Sequence, residues 1–188
     1  HAQNGRSTKS FINEGRWQKI VEKLKKGDYV FIQFGHNDEK LDKPETGAAA
    51  NGEYRNNLIR FVNDVWTKKA NPVLLTPIMR RRFNDKGEFF DTHGIYPDAV
   101  RKVAQELKVP LIDMHRKSEA VIKKFGEVES KKLFLQLAPK AHVNYPNGVE
   151  DNTHFSAFGA EQMAQQAING IREIKIGLAK KLVKSKTE

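Results

Sequence analysis

Tyr29-Val30-Phe31-Ile32-Gln33-Phe34, followed by Gly35-His36-Asn37-Asp38, is the stretch that decides how the rest of the chain reads. Five of its first six residues are β-branched or aromatic, and the run is too short for a helix. Such a run predicts a strand buried on both faces, as in a parallel sheet. Gly35 ends it, and the polar residues beyond predict a loop at the strand's carboxyl end. In open α/β sheets, ligands bind in loops at those ends.

Working outward, the pattern alternates. Trp17, Ile20, Val21 and Leu24 recur at helical spacing and predict an amphipathic helix over about 11–26, stopped by Gly27-Asp28. After a polar stretch at 39–52, Leu58, Phe61, Val62 and Val65 form the stripe of a second helix. Pro72-Val73-Leu74-Leu75-Thr76 predicts the next strand, ended by Pro77, and a charged loop follows at 79–95. Val100, Val103, Ala104 and Leu107 mark a third helix, and Val109-Pro110-Leu111-Ile112-Asp113 a third strand. A fourth helix is expected over about 115–125, a loop over 138–153, and a long last helix from Phe158 to about Lys184. Strands alternating with helices predict an α/β fold with a helix-covered parallel sheet. No repeat or linker interrupts it, so residues 1–188 read as a single domain.

Composition narrows the possibilities. With 38% hydrophobic and 30% charged residues the chain is globular rather than disordered. The absence of cysteine removes disulfides, thiolate metal sites and cysteine nucleophiles. No apolar run approaches the roughly 20 residues of a membrane-spanning helix. The net charge of +10 is spread along the chain, with Arg80-Arg81-Arg82 as its densest point. No zinc-finger, RNA-binding or helix-turn-helix signature accompanies that charge, so the sequence points away from nucleic acid. Scattered cations suit a polyanionic carbohydrate equally well.

Three short stretches carry candidate chemistry. Asp151-Asn152-Thr153-His154 places a carboxylate three residues before an imidazole. A serine hydrolase needs such a pair: the histidine takes the hydroxyl proton, and the carboxylate fixes its tautomer. The same residues also suit a helix cap with a surface histidine. In Gly35-His36-Asn37-Asp38, the Asn37 amide is a candidate donor to a developing oxyanion; an Asn-Asp turn is the simpler reading. Asn4-Gly5-Arg6-Ser7-Thr8-Lys9-Ser10-Phe11 offers the Gly5 backbone N–H to an anion, or a helix cap from Ser7, Thr8 or Ser10. No nucleophile elbow surrounds Ser7 or Ser10.

Taken together and in order, these stretches resemble the later sequence blocks of SGNH (GDSL) hydrolases. With Pro77-Ile78-Met79-Arg80-Arg81-Arg82-Phe83, Thr92-His93-Gly94, Tyr96-Pro97 and Asp151-Asn152-Thr153-His154-Phe155, the likeness narrows to rhamnogalacturonan acetylesterases and their bacterial relatives. That resemblance implies a flavodoxin-like three-layer α/β/α sandwich. It implies Asp151 and His154 as acid and base of a Ser-His-Asp triad, with Asn37 and Gly5 in the oxyanion hole. The implied reaction removes acetyl groups from a pectic polysaccharide through an acyl-enzyme, with no metal and no other cofactor, in the periplasm or outside the cell. Two other readings stay open: an inactive carbohydrate-binding relative, and an SGNH esterase for another acetylated glycan.

The family also begins with a strand and a Gly-Asp-Ser block whose serine is the nucleophile, and no Gly-Asp-Ser occurs here. His1 aligns just before the glycine block. The expectation is therefore that the domain is N-terminally incomplete, that the nucleophile lies upstream, and that these 188 residues alone have little or no esterase activity. For substrate contacts, Arg80, Arg81 and Arg82 are candidates, because arginine pairs bidentately with carboxylates such as those of galacturonate. His93 is a further candidate for the cleft.

Overall fold

A computed structural model describes residues 1–183. The chain divides into two compact units, one of His1–Pro77 with His93–Asp113, the other of Ile78–Thr92 with Met114 onward.

The first unit holds the parallel sheet. β1 (Tyr29–Gln33) pairs with β2 (Asn71–Leu75) in register from Tyr29↔Asn71 to Gln33↔Leu75, and β2 pairs with β3 (Leu111–Ile112). The stripe Leu58, Phe61, Val62 and Val65 of α3 (Arg55–Thr67) is buried, as are Val100, Val103 and Ala104 of α4 (Tyr96–Leu107). Each of the larger of these side chains contributes about 1.5–3 kcal/mol by leaving water. Trp17 joins them, its ring 4.2 Å from that of Phe61 and its Nε1–H donated to Asp64 at 2.7 Å.

The helix expected over 11–26 is two helices, α1 (Thr8–Asn13) and α2 (Arg16–Lys23). Gly15 between them has φ +67°, a backbone state that no right-handed helix admits. Ser7 starts α1 through a reciprocal cap: its Oγ accepts from Ser10 N, and Ser10 Oγ accepts from Ser7 N. A single π-helical turn at Ala50–Tyr54 precedes α3.

In the second unit α5 (Met114–Glu129) is interrupted at Gly126, φ +71°, and a 3-10 turn at Ser130–Leu133 leads into β4 (Phe134–Leu137). β4 pairs antiparallel with β5 (Val149–Phe155), so part of the loop expected over 138–153 is strand. α6 (Ala157–Glu173) follows, capped by Ser156, whose Oγ accepts from Gly159 N at 3.0 Å. A Cβ on Gly159 would lie 1.8 Å from the Leu133 carbonyl oxygen, so glycine sets how closely α6 approaches that turn. Met79, Ile122, Leu133 and Phe134 form the core of this unit, flanked by Phe83, Phe89 and Phe155. The last helix ends at Glu173 and a separate 3-10 turn spans Gly177–Lys181; the expected limit near Lys184 lies outside the described residues. Among the described residues no helix is long and apolar enough to cross a membrane.

Candidate active site

Asp151 and His154 lie on β5, within an irregularity of its pairing with β4. Phe155 faces Phe134 and Glu150 faces Gln136, so five steps along β5 match two along β4. The surplus residues form a wide bulge, a device that re-aims side chains. Inside it Asp151 Oδ1 accepts the backbone N–H of Thr153 at 2.6 Å and of His154 at 2.9 Å. Oδ2 sits 2.6 Å from His154 Nδ1. Burial opposes the charge on Asp151, yet the hydrogen bonds from the His154 backbone, the imidazole and Thr153 prevail and hold its carboxyl below the ordinary value. A carboxylate on Nδ1 fixes the tautomer with its proton there and leaves Nε2 as the basic nitrogen. The His154 side chain is 59% exposed, so that nitrogen is within reach of solvent and substrate.

Asn152, between the pair, is held on both its oxygens. Its carbonyl accepts from Arg81 N at 2.8 Å, and its Oδ1 accepts from Arg81 Nη1 at 3.0 Å. Arg81 also donates from Nε to Ser130 Oγ at 2.9 Å and from Nη2 to the Glu127 carbonyl. Only 8% of Arg81 is exposed. Of the three arginines named as candidates for substrate contacts, Arg81 is thus taken up inside the unit. Arg80 and Arg82 are half-buried; Arg80 Nη1 donates to Thr92 Oγ1 at 3.2 Å, and Arg82 Nη1 to the Arg81 carbonyl at 3.4 Å.

The first unit carries the other candidates. Asn37 Oδ1 accepts from Lys40 Nζ at 2.7 Å, and its Nδ2 donates to the Arg6 carbonyl at 3.3 Å. The lysine fixes which end of the amide is the donor. The nitrogen bears two N–H groups, and the bond to Arg6 uses one. Gly5, next to Arg6, is exposed with φ +73°, the left-handed region that glycine enters without strain. At Gly35 a Cβ would lie 3.0 Å from Pro77 Cγ, so glycine lets the loop turn tightly off the strand. Tyr54 Oη on the Phe34 carbonyl and Tyr96 Oη on the Ala48 carbonyl, each at 2.9 Å, secure the loop's two ends.

Asp38 escaped the sequence reading as a site residue. It is completely buried, and Oδ1 accepts both the N–H (2.9 Å) and the hydroxyl of Thr8. Burial raises its pKa to about 6 against the pull of those bonds. Asn37 and Asp38 thus tie one loop to Arg6 and Thr8 of the Gly5–Thr8 stretch. His93 does not stand open as a cleft residue. It is 2% exposed, with Nδ1 2.8 Å from Glu39 Oε2 and its ring edge-on to His36 at 4.6 Å. Asp38 and Arg81 left no periodic signal: one reads as a turn residue, the other as part of a surface cluster.

The serines among the described residues hold structural positions. Ser7 and Ser10 cap each other, Ser118 Oγ accepts from Met79 N, Ser130 Oγ accepts from Arg81, and Ser156 caps α6. Among the described residues no three His, Asp or Glu side chains gather as a metal-holding group.

The parallel sheet with its helices makes this an α/β protein, and its structure matches the SGNH-hydrolase fold. The chain belongs to the GDSL-like Lipase/Acylhydrolase family, which matches residues 1–162. It is 43% identical over 183 residues to rhamnogalacturonan acetylesterase RhgT of Bacillus subtilis, covering 97% of this chain and 77% of that protein. It is 32% identical to the probable rhamnogalacturonan acetylesterase YesY of the same organism, covering 97% and 79%. Among solved structures, Bacillus subtilis YxiM superposes with a TM-score of 0.74 at 24% identity, covering 92% of this chain and 44% of that one. An acetylxylan esterase from Geobacillus stearothermophilus gives 0.62 at 20% identity, covering 97% and 72%. At those identities the two structures speak for the fold.

Proposed function

We propose that this protein is a carbohydrate esterase that removes acetyl groups from a pectic polysaccharide of the rhamnogalacturonan type. The observation that carries the reading is the Asp151–His154 pair, oriented Nδ1 to Oδ2 at 2.6 Å, in a chain 43% identical to a rhamnogalacturonan acetylesterase. In this mechanism His154 Nε2 takes the proton of a serine hydroxyl as the oxygen attacks the acetyl carbonyl carbon. The negative oxygen of the tetrahedral intermediate is met by N–H groups of Asn37 Nδ2 and the Gly5 backbone. The intermediate then collapses, the sugar oxygen leaves with the proton from His154, and water, deprotonated by the same imidazole, releases acetate from the acyl-enzyme. Because the described serines are engaged in caps and braces, the nucleophile in this proposal is a serine outside the described residues. Arg80 and Arg82 are the proposed contacts for galacturonate carboxylates. An acetylated pectic polymer is met outside the cytoplasm, so a periplasmic or secreted location belongs to the same proposal.

The test is acetate release by the full-length protein from acetylated rhamnogalacturonan and from acetylated xylan, with labelling by a serine-directed fluorophosphonate. The expected result is faster release from the pectic substrate and one adduct, on a serine upstream of His1. Release that persists undiminished in His154→Ala would overturn the mechanism, and a preference for xylan would overturn the substrate.

A further inference from the structure

We propose that Arg81 is a positioning residue that clamps the β5 bulge and so holds the His154 imidazole on Asp151; this rests on the reading of that pair as the acid and base of the reaction. The surplus residues of the bulge have no ladder partners on β4, and strand pairing alone leaves them unsupported. β4 reaches in with one side chain, Gln136, whose Nε2 donates to the Asp151 carbonyl at 2.7 Å and, at the longer distance of 3.4 Å, to Asn152 Oδ1. The remaining restraint comes from Arg81, which binds Asn152 through main chain and side chain at once. The far side of its guanidinium is anchored to the Glu127 carbonyl and the Ser130 hydroxyl, just beyond the break in α5. The guanidinium carbon lies 5.3 Å from the centre of the Phe83 ring, which limits tilting of the plane.

The chemistry of the group matters here. Its hydrogen-bond partners are carbonyl and hydroxyl oxygens lying in three directions. A guanidinium has N–H groups fixed in one plane and reaches all three at once, whereas an ammonium on a flexible stem does not. The fork therefore sets geometry through neutral oxygens, while the nearby Glu127 carboxylate favours its charge. Rotation of Asn152 would carry its neighbours Asp151 and Thr153 with it, and the bonds from Thr153 N and His154 N to Asp151 Oδ1 depend on that turn.

The experiment uses the full-length protein and needs no turnover. Nitrogen-15 spectra of the His154 ring report the Nδ1–H signature, and amide exchange at Thr153 and His154 reports the turn. In Arg81→Met and Arg81→Lys the signature is expected to disappear and the two amides to exchange faster, on the order of tenfold, the effect of about one lost hydrogen bond. Amides of β1 and α3 are expected to keep their protection. Asn152→Ala, which leaves the arginine and every backbone group in place, gives a smaller change in the same direction and decides the matter if the arginine variants do not fold. An unchanged ring signature in folded Arg81→Lys, or in Asn152→Ala when the arginine variants fail to fold, would overturn the clamp. Acetate release by full-length His154→Ala tests the underlying reading separately, so the two failures are distinguishable.

Discussion

The two units hold their candidate catalytic groups by opposite charges. In the second, a buried cation, Arg81, spreads over neutral oxygens and fixes the Asp151–His154 bulge. In the first, a buried carboxyl, Asp38, gathers the N–H and hydroxyl of Thr8 and fixes the stretch that carries Gly5. Burial weakens both ions: it lowers the pKa of Arg81 and raises that of Asp38 to about 6. The consequence differs, because a guanidinium stays charged at any pH a protein meets, whereas a carboxyl at that value changes charge in a mild range. The proposed base is therefore held by a brace indifferent to pH, and the proposed oxyanion stretch by one that titrates.

That comparison is most easily broken at the groups being held. Asp151→Asn keeps the shape of the side chain and removes the anion that orients His154. Turnover by the full-length enzyme is expected to fall on the order of 10⁴-fold with an unchanged circular dichroism spectrum. Removing the donor in the first unit costs less, because the backbone N–H of Gly5 remains. Asn37→Ala is expected to lower kcat about 10²–10³-fold. Rates measured on a small acetyl ester for both variants check the order. A larger loss in Asn37→Ala than in Asp151→Asn would place the main barrier at oxyanion stabilisation and reverse the ranking of the two units.

Much of the first unit was legible because its elements follow one-dimensional patterns, although β1 buries only Ile32 and leaves Phe31 exposed, which corrects the expectation of a strand buried on both faces. The continuous apolar run of β1, the stripe of α3 and the apolar β2 each announce themselves through local periodicity. The break at Gly15 was missed because Phe11 and Ile12 were read into one helix with the Trp17–Leu24 stripe, and a glycine can sit inside a helical pattern. In the second unit β5, Val-Glu-Asp-Asn-Thr-His-Phe, contains residues that strands disfavour. It is a strand because β4 pairs with it and Arg81 and Gln136 satisfy the polar groups of its bulge. The Asp-x-x-His spacing was legible as chemistry before it was legible as structure. The roles of Arg81 and Asp38 were not, since burial of a charge depends on partners distant in sequence, such as Ser130 and Thr8.

The titrating brace gives the smallest and most specific effect. Asp38 has an ordinary value of 3.8 and a folded value of about 6, set by burial against the bonds from Thr8. Between those two values the folded protein keeps a proton that the unfolded chain releases, so raising the pH through that window favours unfolding. The contribution is fully present below about pH 4 and lost by about pH 6, on the order of 3 kcal/mol. Asp151 has the opposite sign, its pKa being lowered, and its contribution is lost as the pH falls below the ordinary carboxylate range. Asp38→Asn retains an oxygen to accept from Thr8 and carries no charge at any pH. Its thermal midpoint is expected to stay level between pH 4 and 6, where that of the parent protein declines by several degrees. Parallel profiles for the two proteins would show that the decline comes from another group, and the contrast between a titrating and a permanent brace would then fail.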